Sequence, residues 1–205
     1  MKWRWFRNSC LSMTIVICEI SGVALGADRI PSRAYAYRHV LRAEERRAWG
    51  LNMPADTIAI GAGTIHQESV WNPMAQSSYA KGLAQFTGTT WKDMLSMDHS
   101  IAVLGDIWNP HAAIRAMCFY HRRLWDSVHL RYDADSRWAA MLSSYNGGLG
   151  WLERDQRLAA NSGANPSRWF GHVEFYSARS AAAFRENRDY VRQILLRWRP
   201  LYVRF

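Results

Sequence analysis

The chain has 205 residues, 49% of them apolar and 13% aromatic, which is enough to bury the core of one domain without a second. Its net charge is +9, but the basic residues occur as isolated pairs such as Arg46-Arg47 and Arg122-Arg123, so we expect no nucleic-acid partner. Cys10 and Cys18 lie near the N-terminus and only Cys118 remains in the body, which excludes a domain stapled by disulfides.

The first 26 residues have the pattern of an export signal. Three basic residues precede an apolar run from Cys10 to Leu25, and Ala24-Leu25-Gly26 places small residues where a signal peptidase cleaves. The run is shorter than the ~20 residues of a permanent membrane span. We therefore predict a signal peptide or temporary export anchor at residues 1–26, membrane contact through this segment only, and delivery to the periplasm or cell envelope.

Helical patterns dominate residues 27–205, whereas strand patterns are sparse, which predicts a single all-α domain. Cys118 lies on one of the predicted helices and is most simply a small core residue. The first predicted helix runs from Ser32 to Trp49 and is capped by Gly50. The second begins at Asn109-Pro110 and has on one face Ala113, Met117, Tyr120, Leu124 and Val128. The third runs from Ser136 to a turn at 145–148, and the fourth, from Arg185 to Arg199, stops at Pro200 and points inward Val191, Ile194, Leu195 and Trp198.

Glu68 is an isolated acid, because no other Asp or Glu occurs between Thr57 and Lys92. Ile58, Ala62 and Ile65 recur at helical spacing, and Glu68 falls at the edge of this apolar row. A half-buried carboxyl group at such an edge has a raised pKa, as a general acid needs near neutral pH. The alternative is a solvated glutamate at a helix end, or an N-terminal cap of the next segment.

The segment after Glu68 has the composition of a sugar-binding groove. Asn72-Pro73 is expected to end the helix, and residues 76–88 are rich in neutral polar side chains with no acid. Ser77 and Gln85 could bond hydroxyl and acetamido groups of a sugar. Aromatic residues that could stack on sugar rings are Trp71, Tyr79, Phe86 and Trp91, although Trp71 and Trp91 could equally be core residues.

Four sequence blocks in order resemble the soluble lytic transglycosylase (SLT) domain, whose members are single-glutamate relatives of goose-type lysozyme. The resemblance covers about residues 55–202 and implies a lysozyme-like fold. The blocks are Glu68-Ser69 with Asn72-Pro73; Ser77 with Gly82-Leu83-Ala84-Gln85; Ser144-Tyr145-Asn146-Gly147-Gly148; and Glu186-Asn187-Arg188-Asp189-Tyr190-Val191.

The resemblance also implies roles for individual residues. It makes Glu68 the catalytic acid and base, and it places Gln85 and Asn146 in contact with the glycan. Tyr145 would help hold the carboxylate or the substrate, and Glu186 would line the groove. The implied substrate is peptidoglycan, whose peptide carboxylates would attract a basic protein.

The chain departs from the family pattern at several positions. Tyr79 stands where the family often has glycine, and Ala84 where it often has methionine. Gly88 replaces a common proline, and Asn187 replaces the usual threonine. The run Ala84-Gln85-Phe86 with a later Thr-Trp pair resembles phage or prophage members.

One carboxyl group in the motif region favours a reaction that needs only one. Hydrolytic glycosidases normally use two carboxyl groups. A single acid can protonate the glycosidic oxygen and then, as a base, deprotonate the C6 hydroxyl of N-acetylmuramic acid, which closes a 1,6-anhydro ring without water. This is the lytic transglycosylase reaction, and we expect a monomer to perform it.

Two other functions stay open from the sequence. A muramidase of the same fold would use water, with a distant acid such as Asp93, Asp98, Asp106 or Glu174 folded into the site. A non-catalytic wall-binding or assembly module would keep the groove without the reaction. The seven histidines show no metal-ligand spacing, so we expect no metal and no cofactor.

Overall fold

The computed structural model of the chain describes residues 28–128 and 133–205. The predicted export signal at residues 1–26 therefore lies outside the described residues. Within the two described ranges, no helix is both long enough and apolar enough to cross a membrane.

The described residues form α-helices around one small hairpin, which confirms the predicted mainly α-helical fold. A π-helix at Gln193–Trp198 joins the last two helices, and short 3-10 turns occur at Gly50–Asn52 and Val173–Phe175. The elements in chain order are α1 (Ala34–Trp49), α2 (Thr57–Ser69), β1 (Ala80–Lys81), β2 (Phe86–Thr87), α3 (Gly88–Met97), α4 (Ser100–Leu104), α5 (Pro110–Ser127), α6 (Ala134–Gly147), α7 (Leu149–Asn161), α8 (Ala181–Arg192) and α9 (Arg199–Tyr202).

Capping chemistry places α5 where the sequence predicts it. The side-chain oxygen of Asn109 accepts hydrogen bonds from the backbone N–H groups of His111 and Ala112, at 2.9 and 3.4 Å. Pro110 occupies the first turn, where a missing N–H costs nothing. Cys118 is fully buried, as expected of a core residue.

Two predicted helix ends are wrong. α6 runs to Gly147, so Tyr145 and Asn146 lie in its last turn and not in a loop beyond it. The C-terminal helix does not stop at Pro200, because the π-helix widens the turn before it and Pro200 falls in the first turn of α9. The four residues predicted to point inward from this helix are all buried.

α2 is buried on nearly every side, which differs from the predicted single inward face. All residues from Ala59 to His66 are buried, whereas Ile58 is only partly so. Two glycines permit this close packing. A Cβ atom on Gly63 would lie 3.3 Å from Ile194 and Trp198 of the π-helix, and one on Gly61 would collide with the side chain of Glu45 on α1.

Side chains of the C-terminal helices form hydrogen bonds with residues at the end of α2. The Tyr202 hydroxyl accepts a hydrogen bond from the indole N–H of Trp71 at 2.7 Å and lies 2.9 Å from Nδ1 of His66. The indole N–H of Trp198 donates to the side-chain oxygen of Gln67 at 2.8 Å. Burial lowers the pKa of His66 to about 4, so the imidazole that contacts the Tyr202 hydroxyl is neutral at neutral pH.

Glu45 is a carboxyl group in the core between α1 and α2. It has no exposed surface, and its Oε2 accepts a hydrogen bond from the indole N–H of Trp49 at 2.7 Å. Burial raises its pKa from 4.5 to about 8. Glu45 is therefore a neutral acid in the folded protein at neutral pH.

We expect Glu45→Gln to stabilise the protein increasingly as the pH rises. The unfolded chain loses the Glu45 proton near pH 4.5 and the folded protein only near pH 8, so wild type loses stability across this interval. A neutral amide avoids this loss, which is on the order of 4 kcal/mol between pH 5 and pH 8. Denaturant unfolding at a series of pH values measures the difference.

The matched control is Glu44→Gln, one residue away on α1. Glu44 is an ion-pair partner of Arg115, with an oxygen–nitrogen distance of 2.6 Å. This variant should lose stability and show no gain that grows with pH. A pH-independent difference between Glu45→Gln and wild type would contradict the assignment of Glu45 as a neutral core acid.

Candidate active site

Glu68 lies in the last turn of α2, beside a sharp reversal of the chain. The helix ends at Ser69, and Val70 and Trp71 both adopt left-handed backbone conformations, with φ angles of 50° and 63°. This backbone conformation is energetically unfavourable for β-branched residues such as valine and for bulky residues such as tryptophan. The reversal thus occurs before Asn72-Pro73, and it leaves the half-buried carboxyl group of Glu68 at the helix end.

A tyrosine from the far end of the chain holds the carboxylate. The hydroxyl of Tyr190, on α8, donates a hydrogen bond to Oε1 of Glu68 at 2.6 Å, and this bond strengthens when Glu68 is ionised. Tyr190 is buried, and burial together with the charge of Glu68 raises its pKa well above the usual value. The bond fixes one carboxyl oxygen and leaves Oε2 for proton transfer.

The surroundings give Glu68 the pKa of a general acid. Burial raises the pKa of Glu68 to about 8, against the opposing effect of the Tyr190 hydrogen bond. The negative charge of Glu186 raises it further. Glu186 lies one turn before Tyr190 on α8, so the structure brings a second carboxyl group towards Glu68.

Gln85 and Tyr145 hold the hairpin against the site. Gln85 has a left-handed φ of 48°, and its amide nitrogen donates to the carbonyl oxygens of Ala75 and Gly82 at 2.9 and 2.8 Å. The Tyr145 hydroxyl donates to the carbonyl oxygen of Ala84 at 2.9 Å. The direct bond to Glu68 comes from Tyr190, while burial and, after it, the charge of the nearby Glu68 raise the pKa of Tyr145.

Asn146 belongs to a buried polar network that ties α6 to α8. Its side-chain oxygen accepts a hydrogen bond from the side-chain amide nitrogen of Asn187 at 2.8 Å. Asn187 also accepts from Ser143 and from Arg188, both at 2.8 Å. Asn187 stands where the family usually has threonine, and its amide group both donates and accepts the hydrogen bonds of this network.

Buried charges hold α8 at this position. Arg188 donates to Asp155 of α7 at 2.9 Å and to the carbonyl oxygens of Glu174 and Tyr176 at 2.9 Å each. Arg179 lies 3.5 Å from the same Asp155 oxygen. An ion pair this deeply buried stabilises only when its partners are hydrogen-bonded, as Arg188 is here.

The polar and aromatic residues of the predicted groove divide into those that stabilise the fold and one that is exposed. The Ser77 hydroxyl accepts hydrogen bonds from the backbone N–H groups of Tyr79 and Ala80 and so stabilises a turn. Trp71, Phe86 and Trp91 are buried core residues. For Trp71 and Trp91 this confirms the core alternative that the sequence leaves open, and for Phe86 the suggested stacking on a sugar is wrong. Tyr79 is 58% exposed.

The described part of the chain contains no group of three or more His, Cys, Asp or Glu side chains that could hold a metal ion.

Comparison with known families decides the classification. The family model described as the transglycosylase SLT domain matches residues 53–167, more than half of the chain. The chain belongs to the SLT family. The matched range includes Glu68, Ser77, Gln85, Tyr145 and Asn146, whereas Glu186 and Tyr190 lie beyond it, so the match is shorter at its C-terminal end than the expected range of 55–202.

Individual relatives match about half of this chain. Proteins named membrane-bound lytic murein transglycosylase F are 32% identical over 109 residues in Shewanella loihica, 36% over 109 in Shewanella woodyi and 33% over 111 in Marinobacter nauticus. These alignments cover 53 to 54% of this chain and 20 to 21% of the relatives, so the chain matches about a fifth of their length. The expected likeness to phage members stays a prediction.

Removing the Tyr190 hydroxyl should raise the pKa of Glu68 still further. The hydrogen bond favours the ionised form of Glu68. A hydrogen bond to a charged group contributes enough free energy to shift the pKa of that group by about one unit or more. Carbon-13 NMR titration of the glutamate carboxyl groups in wild type and Tyr190→Phe measures the change. Glu186→Gln is the matched control and should lower the same pKa, and equal values in all three proteins would contradict the geometry.

Proposed function

We propose that this protein is a peptidoglycan lytic transglycosylase that cleaves the β-1,4 bond between N-acetylmuramic acid and N-acetylglucosamine. The observation that carries the proposal is the geometry of Glu68, a half-buried acid at the end of α2 with Tyr190 bonded to one oxygen. Membership of the SLT family and relatives named lytic murein transglycosylases support it.

The first step uses Glu68 as an acid. With a pKa raised to about 8, most of the population carries a proton at neutral pH. Transfer of this proton to the glycosidic oxygen breaks the bond to C1 of N-acetylmuramic acid and releases the other sugar as an alcohol. The acetamido oxygen of the substrate can stabilise the positive charge that develops at C1.

The second step uses the same group as a base. Glu68, now a carboxylate, takes the proton of the C6 hydroxyl, and O6 bonds to C1 to form the 1,6-anhydro ring. The Tyr190 hydrogen bond stabilises the carboxylate between the two steps, since such a bond favours the charged form. The acid is regenerated and no water is consumed.

The remaining predicted residues act on the substrate in this proposal. Ser77, Gln85, Tyr145 and Asn146 come from the hairpin region and the end of α6, and they would bind and orient the glycan. Orientation of this kind lowers the barrier because the reacting atoms are already in place. We also propose that the protein acts as a monomer in the cell envelope after export.

Glu186 supports a second candidate, a hydrolytic muramidase. Hydrolysis needs a second carboxylate to activate water, and the charge of Glu186 acts on Glu68 from the facing helix α8. In that mechanism Glu186, and not one of the more distant acids, would be the base.

Digestion of purified sacculi separates the two candidates. We expect wild type to release fragments with 1,6-anhydro ends, detected by mass spectrometry, and Glu68→Gln to lower their rate of formation by about 10²- to 10⁴-fold. Glu186→Gln is the matched control, since it removes a carboxyl group on the other side of the site and should keep the anhydro product. Reducing ends that disappear in Glu186→Gln would instead establish the muramidase.

The pH dependence of kcat/KM should report the protonated form of Glu68. We expect the rate to hold through neutrality and to fall above about pH 8, where Glu68 loses the proton it must donate. Glu186→Gln removes a negative charge near Glu68, so its decline should begin at a lower pH. A decline that begins near pH 5 in wild type would show that Glu68 is not the acid.

A further inference from the structure

The side-chain amide of Asn187 has one possible orientation. An asparagine amide has an acceptor oxygen and a donor nitrogen, and a half-turn of the group exchanges the two. At Asn187 the oxygen accepts from the guanidinium of Arg188 at 2.8 Å, and the nitrogen donates to the main-chain oxygen of Ser143 at 3.0 Å. Arginine can only donate and a carbonyl oxygen can only accept, so the turned amide would lose both bonds.

The packing around Asn187 leaves this amide no room to move. Asn187 is 1% exposed, and its partner Arg188 is held by the carboxylate of Asp155 at 2.9 Å. On the facing helix α6, a Cβ atom on Gly147 would lie 3.0 Å from the amide nitrogen of Asn187. Glycine at this position therefore lets the two helices approach closely enough for the amide to bond to α6.

The orientation of Asn187 determines that of Asn146. Ser143 and Asn146 are three residues apart on α6 and so lie on one face of it. The amide nitrogen of Asn187 donates to both, to the carbonyl oxygen of Ser143 and to the side-chain oxygen of Asn146 at 2.8 Å. Asn146 must turn its own oxygen towards Asn187, so its amide nitrogen is the group that remains for another partner.

One face of α8 serves both Asn146 and the proposed acid. Asn187 and Tyr190 are three residues apart on this helix. Asn187 bonds to Asn146 at the end of α6, and Tyr190 bonds to Glu68 at the end of α2 at 2.6 Å. The helix thus fixes the orientation of an amide and of a carboxyl group at the same time.

We propose that Arg188 and Asn187 are positioning residues that fix Asn146 as a hydrogen-bond donor, to which the glycan presents an acceptor oxygen such as that of an acetamido group. The inference rests on the proposed function and deepens it, because that function requires only that Asn146 binds the glycan. A threonine at position 187, as the family usually has, carries one hydroxyl proton and could not donate to Ser143 and Asn146 together.

The first test separates a donor from an acceptor at Asn146. Binding is measured without cleavage, in the Glu68→Gln background, with peptide-free glycan strands as the probe. Asn146→Asp keeps an oxygen for Asn187 but has no N–H for the glycan. It should weaken binding by about 3- to 10-fold, as Asn146→Ala does. Binding of Asn146→Asp at the strength of the parent would overturn the inference.

The second test asks whether Asn187 acts through Asn146. In Asn187→Asp an oxygen replaces the nitrogen that faces Asn146, so the amide of Asn146 turns and presents its oxygen to the glycan. We expect binding to weaken by about 3- to 10-fold, and to weaken no further when the same change is made in the Asn146→Ala background. Equal losses in the two backgrounds would overturn the inference, because Asn187 would then act independently of Asn146.

Ser144→Ala is the matched control for a buried polar group at the end of α6. Ser144 has no exposed surface, and its hydroxyl donates to the carbonyl oxygen of Ala140 at 2.9 Å, within its own helix. This variant should bind the strands as the parent does. Should Asn187→Asp fail to fold in thermal unfolding, Asn146→Asp decides the question alone, since it keeps the bond to Asn187.

Hydrogen exchange of the Asn187 side-chain amide protons, followed by NMR in the free protein, separates this inference from the proposed function. Exchange should be slow in the parent and in Asn146→Asp, and faster in Asn146→Ala, which lacks the acceptor. Fast exchange in the parent would overturn the inference. Failure of the proposed function looks different: exchange at Asn187 would be slow, yet the Glu68 protein would release no fragments from sacculi.

Discussion

The burial of α2 is the constraint on which the position of Glu68 depends. Gly61 and Gly63 allow α1 and the π-helix to approach α2 more closely than any larger side chain would permit. A general acid must be held within hydrogen-bond reach of the atom it protonates. The packing of these two glycines about ten ångströms from Glu68, at ~1.5 Å of rise per residue, therefore helps to fix the position of its carboxyl group.

Three separate parts of the chain meet around this helix end. The hairpin is fastened by Tyr145, α8 brings Tyr190 and Glu186, and the C-terminal helices hold His66 and Trp71 through Tyr202. The buried network of Asn187, Arg188 and Asp155 keeps α8 aligned with α6 and α7. The acid and its neighbours are thus positioned by contacts between segments that are distant in sequence.

Local patterns identified some of this arrangement and could not identify the rest. The sequence identifies Glu68 because it is the one acid between Thr57 and Lys92, and α5 because Asn109-Pro110 is a strong capping signal. Tyr190 belongs to the fourth sequence block, but the sequence assigns it no role, since its bond to Glu68 joins residues 122 positions apart. The burial of Trp71 and Trp91 likewise follows from tertiary packing, because an indole suits a core and a groove equally well.

The π-helix has a consequence for how this protein can change over evolution. Its wider turn holds one extra residue between Tyr190, which bonds Glu68, and Tyr202, which bonds residues at the end of α2. In an uninterrupted α-helix one additional residue would rotate everything after it by about 100°, and the wider π-turn absorbs that residue instead. This segment can therefore gain or lose one residue by widening or narrowing its turn, whereas the same change within α8 would turn Tyr190 away from Glu68.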